Sequence, residues 1–124
     1  MRQQRCGYNP YLDMVCHMRD GRTVYAPIPD GSFIDASGGW HDAGDQLKYL
    51  ITASNATARV LLSFELARDK FKDMVDALGR PQPNGIPDVL DEAKWGLDWI
   101  HKLHPAPDQL FHQVADDRDH RGFK

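Results

Sequence analysis

Hydrophobic and polar positions divide this chain into a turn-rich first third and two helical stretches. From Asp45 to about Arg68, residues Leu47, Leu50, Ile51, Ala58, Leu61, Leu62 and Leu66 recur at helical spacing with polar residues between them. Ala53, Ala56 and Ala67 add helix propensity, and no Gly or Pro interrupts the run, so it predicts one long helix. A second helix is predicted from Pro87, because a proline followed by Asp88, Asp91 and Glu92 marks a helix start. Val89, Leu90, Ala93, Leu97, Ile100 and Leu103 form its expected buried stripe, and Pro105 ends it. Trp95 and Trp99 lie one turn apart and read as packing between helices. Glu65 and Glu92 read as surface or helix-start charges.

Residues 1–41 hold most of the turn chemistry: Asn9-Pro10, Asp20-Gly21, Pro27-Ile28-Pro29-Asp30-Gly31 and Gly38-Gly39. Thr23-Val24-Tyr25 is a candidate for a brief strand in one small hairpin. Long irregular segments of this kind are usually functional, metal-pinned or disordered. Two helices cannot cover each other's apolar faces completely, so the pattern suggests a piece of a larger α-helical domain.

Charge and composition narrow the partners. A net charge of −3 leaves no electrostatic footprint for nucleic acid. No apolar run is long enough to span a bilayer, so no membrane partner is expected. The start, MRQQRCGYNP, has basic residues without an apolar segment behind them, so no signal peptide is read in this chain. Two cysteines do not fix a compartment.

Two constellations carry chemistry. Cys6, Cys16, His17 and His41 are a ligand set suited to a closed tetrahedral zinc site, although their spacing is not that of a zinc finger. Such a site would staple a segment with little core of its own, and its binding energy would be folding energy. A Cys6–Cys16 disulfide, or no link at all, are the other readings. The second constellation is Asp42-Ala43-Gly44-Asp45, read as lying at the start of the long helix, where side chains three apart point roughly the same way. Two ionised carboxylates there can hold and deprotonate a water, as a general base must. Helix capping and a calcium loop are the competing readings, the latter lacking alternating acids and a closing Glu. Trp40, beside the acids, can stack on a sugar ring or serve the core; the core role is slightly favoured.

The run Gly38-Gly39-Trp40-His41-Asp42-Ala43-Gly44-Asp45, with Lys48-Tyr49 after it, closely resembles the signature of family 9 glycoside hydrolases. Cys6, Cys16, His17 and His41 resemble the structural zinc site of a subgroup of that family. Asn84 through Trp99 is similar to its helix PDLLDEVRWGLDWL, and Gln113 through His120 more loosely resembles QVGDG…DH. The resemblance implies an all-α fold, an (α/α)6 barrel of which residues 1–124 would be the N-terminal part, with a loop-rich, zinc-stapled first segment. It implies Asp45 as catalytic base and Asp42 as its helper carboxylate. It also implies His120 as a substrate contact and inverting hydrolysis of β-1,4-glucosidic bonds in cellulose or a related β-glucan. The family's general acid is a Glu near the far end of a much longer domain, and no residue here matches it, so this chain alone is expected to be inactive. For the parent protein the resemblance further implies an extracellular or periplasmic location and an upstream immunoglobulin-like module. Calcium is possible there, with no site assigned here. Met1 is then expected to be an internal start. Because His41 adjoins Asp42, loss of zinc is expected to disorder the base-bearing loop. A non-catalytic, zinc-stabilised carbohydrate-binding remnant and a different helical-barrel hydrolase are the alternative readings.

Overall fold

The computed structural model describes residues 1–115. In chain order, the first hairpin pairs β1 (Gly7–Asn9) with β2 (Met14–Cys16), setting Gly7 against Cys16 and Asn9 against Met14. Then come β3 (Lys48–Tyr49), α1 (Leu50–Leu66), α2 (Asp88–Lys102) and β4 (Gln113–Val114). β3 and β4 pair antiparallel, with Lys48 opposite Val114. The described residues are therefore two helices with two small sheets, where an all-α chain was expected.

Two expectations about local structure change. The first helix starts at Leu50, not Asp45, because Lys48 and Tyr49 are extended and hydrogen-bonded to β4. The brief strand at Thr23–Tyr25 does not form; Arg22 makes an isolated bridge to Phe33, and Tyr25 takes a left-handed backbone at φ 56°. The hairpin that does form is turned by Asn9, whose side-chain oxygen accepts the N–H groups of Tyr11 and Leu12. α2 begins as expected, at Asp88 after Pro87.

The helix pair meets through small residues, not leucines. Ala53 and Thr57 are the buried positions of α1, and Asp91, Glu92, Ala93, Gly96 and Trp99 those of α2. Ile51, Leu61, Leu62 and Leu66 face outward, so the predicted stripe of α1 is rotated away from the interface; of the α2 stripe only Leu97 is exposed, while Ala93 and Leu103 are fully buried and Val89, Leu90 and Ile100 half-buried. The core comprises Ala36, Trp40, Ala53, Trp99 and Leu103, with Leu50, Trp95, Ile100, Phe111 and Val114 against it. Trp95 and Trp99 pack on the N-terminal loops: their indole N–H groups donate to the carbonyls of Gly39 and Ala36 at 2.9 and 3.0 Å. Gly39, at φ +70°, leaves no room for a Cβ, which would sit 2.7 Å from the Trp99 ring.

Gly96 is equally constrained, since a Cβ there would overlap both the Trp40 ring and the Thr57 hydroxyl. Gly96→Ala gains helix propensity of about 1 kcal/mol at most. Overpacking costs roughly 1–3 kcal/mol. A lowered Tm in thermal denaturation is the expected outcome; an unchanged or raised Tm would show that the Trp40 ring and the Thr57 hydroxyl give way freely.

Asp88 gives a pH-dependent contribution. Burial would raise its carboxyl, but the N–H groups of Met74 and Val75 and the Arg2 guanidinium outweigh burial and hold it below the ordinary 3.8. The unfolded chain takes up this proton more readily than the folded one. The stabilisation is thus complete above pH 3.8 and lost as the pH falls through the lower folded-state value. Asp88→Asn should flatten the acid limb of a Tm-against-pH curve; an identical acid limb would refute this.

Candidate metal centre and carboxylate loop

Residues 4–6 lie along residues 39–41 as a short antiparallel rung. Cys6 N–H donates to the Gly39 carbonyl at 2.9 Å, His41 N–H to the Gln4 carbonyl at 2.8 Å, and Arg5 bridges Trp40. This places Cys6 and His41 side by side, and the β1–β2 hairpin returns Cys16 and His17 to them. His17 turns in with a left-handed backbone at φ 51°.

One ligand atom from each of Cys6, Cys16, His17 and His41 lies within 4.8 Å of all the others. A tetrahedral zinc ion sets S···N edges of about 3.6 Å, and Cys16 Sγ already stands 3.6 Å from His41 Nε2. Both cysteines are free. His41 Nδ1 lies 2.8 Å from the Gln46 carbonyl; donating there fixes the tautomer that turns the Nε2 lone pair toward the sulfurs. His17 Nδ1 is buried without a hydrogen-bond partner, an open lone pair beside the other ligands. Burial pushes the His17 imidazole down, as does the neighbouring His41, which favours the neutral form a metal requires. Burial raises the Cys6 thiol, but the His41 hydrogen bond and the Lys48 charge outweigh it, leaving it below 9.0. Cys16 goes the other way, raised by burial and by the charge of Cys6. The donor set, tautomer and orphaned nitrogen fit a metal ion.

The acids occupy a loop, not a helical turn. Asp42 N–H donates to the Leu47 carbonyl at 2.8 Å, and Asp45 Oδ1 accepts the Leu47 N–H at 3.2 Å. Gln46, at φ 65°, makes the reversal and presents the carbonyl that His41 holds. Asp42 is exposed and Asp45 half-buried, and among the described residues neither pairs with a cation. The structure therefore brings Asp42, Asp45 and the four metal-ligand candidates into one neighbourhood through His41. Trp40 is buried in the core, with 7% of its surface exposed, which leaves little of its face for a sugar. His120 lies outside the described residues.

Three buried charged residues of the site escaped sequence reasoning. Lys48 is wholly buried; its Nζ donates to Cys6 Sγ at 3.2 Å, to the Gly38 carbonyl at 3.3 Å and to the Ala36 carbonyl. Three acceptors match the three protons of an ammonium. Arg5 and Glu92 form a buried ion pair at 2.9 Å, and Glu92 also accepts the Trp40 indole N–H at 2.7 Å. Glu92 is thus an interior carboxylate rather than a surface charge. Its sequence signal was faint, a second acid in a helix start. Lys48 showed itself as a charge inside the apolar run Leu47–Ile51.

A model of glycosyl hydrolase family 9 matches residues 1–124. The chain belongs to glycosyl hydrolase family 9. Endoglucanase D of Acetivibrio thermocellus is 38% identical over 133 residues, taking in 96% of this chain and 20% of that protein. Endoglucanase 21 of Oryza sativa subsp. japonica is 34% identical over 118 residues, taking in 94% and 20%. Among solved structures, a metagenome-derived family 9 endoglucanase superimposes with a TM-score of 0.76 at 37% identity, covering 90% of this chain and 22% of that one. A Zn-binding triple mutant of the family 9 endoglucanase J30 gives 0.68 at 31%, covering 90% and 23%. This family 9 chain spans about a fifth of the length of these relatives.

Titration of the reduced family 9 chain with Co2+ should give one equivalent of tight binding with thiolate-to-metal absorption. Cys16→Ser and His17→Ala should each weaken it roughly tenfold or more, because a closed site loses one of four ligands. Wild-type affinity in either variant would remove that residue from the centre.

Proposed function

We propose that this chain forms the base side of an inverting β-1,4-glucan hydrolase. The carrying observation is the 42–47 loop. It holds two carboxylates without cationic partners among the described residues and is closed on itself by the Asp42 N–H to Leu47 carbonyl bond and by the Asp45 carboxylate, which accepts the Leu47 N–H. Its neighbour His41 ties it to the Cys/His cluster. In this reading Asp45 removes a proton from the attacking water and Asp42 helps hold that water. Hydrolysis with inversion needs an opposed acid across a gap wide enough for the water. Among the described residues Glu65 is exposed and ion-paired with Arg68, and Glu92 is buried with Arg5, so neither serves. The acid would come from the part of the protein that corresponds to the remaining length of the relatives.

Cellulose or a related β-glucan is the proposed substrate, in keeping with relatives named as endoglucanases. The outward Ile51, Leu62 and Leu66 of α1 and Leu97 of α2 suit burial by further helices, as in an (α/α)6 barrel. Cys6, Cys16, His17 and His41 would hold a structural zinc, which contributes folding energy and no chemistry of its own. The parent would act outside the cell, with room for an upstream immunoglobulin-like module.

In a protein carrying the complete domain, Asp45→Asn should lower kcat on a soluble β-glucan by about 100-fold or more while KM changes little. The 124-residue chain alone should release no reducing ends above buffer. Full activity of Asp45→Asn would remove Asp45 from the base role. Turnover by the chain alone would sink the division of base and acid. An inactive complete domain that still binds glucan would favour a binding remnant.

A further inference from the structure

Glu92 lies on α2, yet it binds both sides of the rung that carries the metal ligands and the acid loop. Its Oε2 accepts Arg5 Nη2 at 2.9 Å from one side, and its Oε1 accepts Trp40 Nε1 at 2.7 Å from the other. Arg2 Nε adds a contact at 3.5 Å. Arg5 is held in turn: Nη1 donates to the Ala77 carbonyl at 3.1 Å, and its guanidinium lies 4.3 Å from the centre of the Trp95 ring. Arg5 immediately precedes Cys6, and Trp40 immediately precedes His41 and Asp42. One carboxylate, 6% exposed as a residue, therefore fixes the register of the two backbones from which Cys6, His41 and the carboxylate loop project.

We propose that Glu92 is a positioning residue, which through Arg5 and Trp40 sets the alignment of the Asp42–Asp45 loop and of the Cys6–His41 half of the metal centre. It touches neither metal nor substrate. Side chains that orient ligands from behind commonly govern metal affinity by 10–100-fold. The proposal rests on the metal reading for one of its readouts and is independent of it for the other.

The test uses the reduced chain as wild type, Glu92→Gln and Trp40→Phe. Trp40→Phe keeps a ring and the Arg5–Glu92 pair but removes the indole donor, so it reports even if Glu92→Gln does not fold. The readouts are Co2+ affinity by chelator competition and amide hydrogen exchange. Expected are an affinity loss of roughly tenfold or more and faster exchange confined to 39–47, with α1 protected as in wild type. A merely structural role would instead speed exchange evenly through α1 and α2, and that result overturns the proposal. Affinity within twofold of wild type together with unchanged exchange in 39–47 also overturns it. If the wild-type chain takes up no Co2+, the metal reading fails and the exchange pattern alone decides for or against Glu92.

Discussion

The chemistry of this chain depends on how residues 4–6 lie against residues 39–41. Two backbone hydrogen bonds make that rung, and each contributes on the order of 1 kcal/mol net. That is too little to hold two irregular segments in one register. The buried Arg5–Glu92 pair, with the Trp40 indole on the same carboxylate, ties both segments to α2 as well. Removing one partner of such a pair leaves an uncompensated buried charge, at about 3–5 kcal/mol. That is a large share of the roughly 5–15 kcal/mol by which domains are stable.

Two buried cations serve this region in different ways. Arg5 meets a carboxylate with its planar fork and stacks on Trp95, a geometry that fits a guanidinium. Lys48 meets a sulfur and two carbonyls, with the Trp99 ring 5.5 Å away, which suits a compact ammonium with three donors. Lys48, just after the loop that starts at Trp40, binds the carbonyls of Ala36 and Gly38 just before it, and Arg5 shares the Glu92 carboxylate with the Trp40 indole. The small residues between α1 and α2 let the Trp40 ring enter the helix interface beside Gly96, so the loop is anchored inside the helix pair and not laid over it.

Much of the site was readable because its residues are chemically scarce. Two cysteines and adjacent histidines in a segment without a core pointed to a cluster, and two acids three apart pointed to a general base, though at a helix start and not in the loop where they lie. The helices were readable from periodicity, and so was most of the buried face of α2, but that of α1 was not. The helical spacing of Ile51, Leu62 and Leu66 identifies an apolar surface without saying which neighbour covers it. The start of α1 was misplaced because Leu47 belongs to the apolar pattern while its neighbours Lys48 and Tyr49 pair with β4, a partner far along the chain. Lys48, Arg5 and Glu92 were missed for the same reason: each is satisfied by residues distant in sequence, and no local rule reports such partners.

The pairing of Lys48 with Val114 also orders events in time. A ribosome delivers the Cys/His residues and both acids early, and the hairpin can close as soon as Cys16 is out. The strand that holds the downstream flank of the acid loop finds its partner after α2 has been made. Loops joined by such distant contacts form late. A newly made chain therefore passes through a stage in which its metal ligands and its carboxylates have all been made while neither group yet has its final frame.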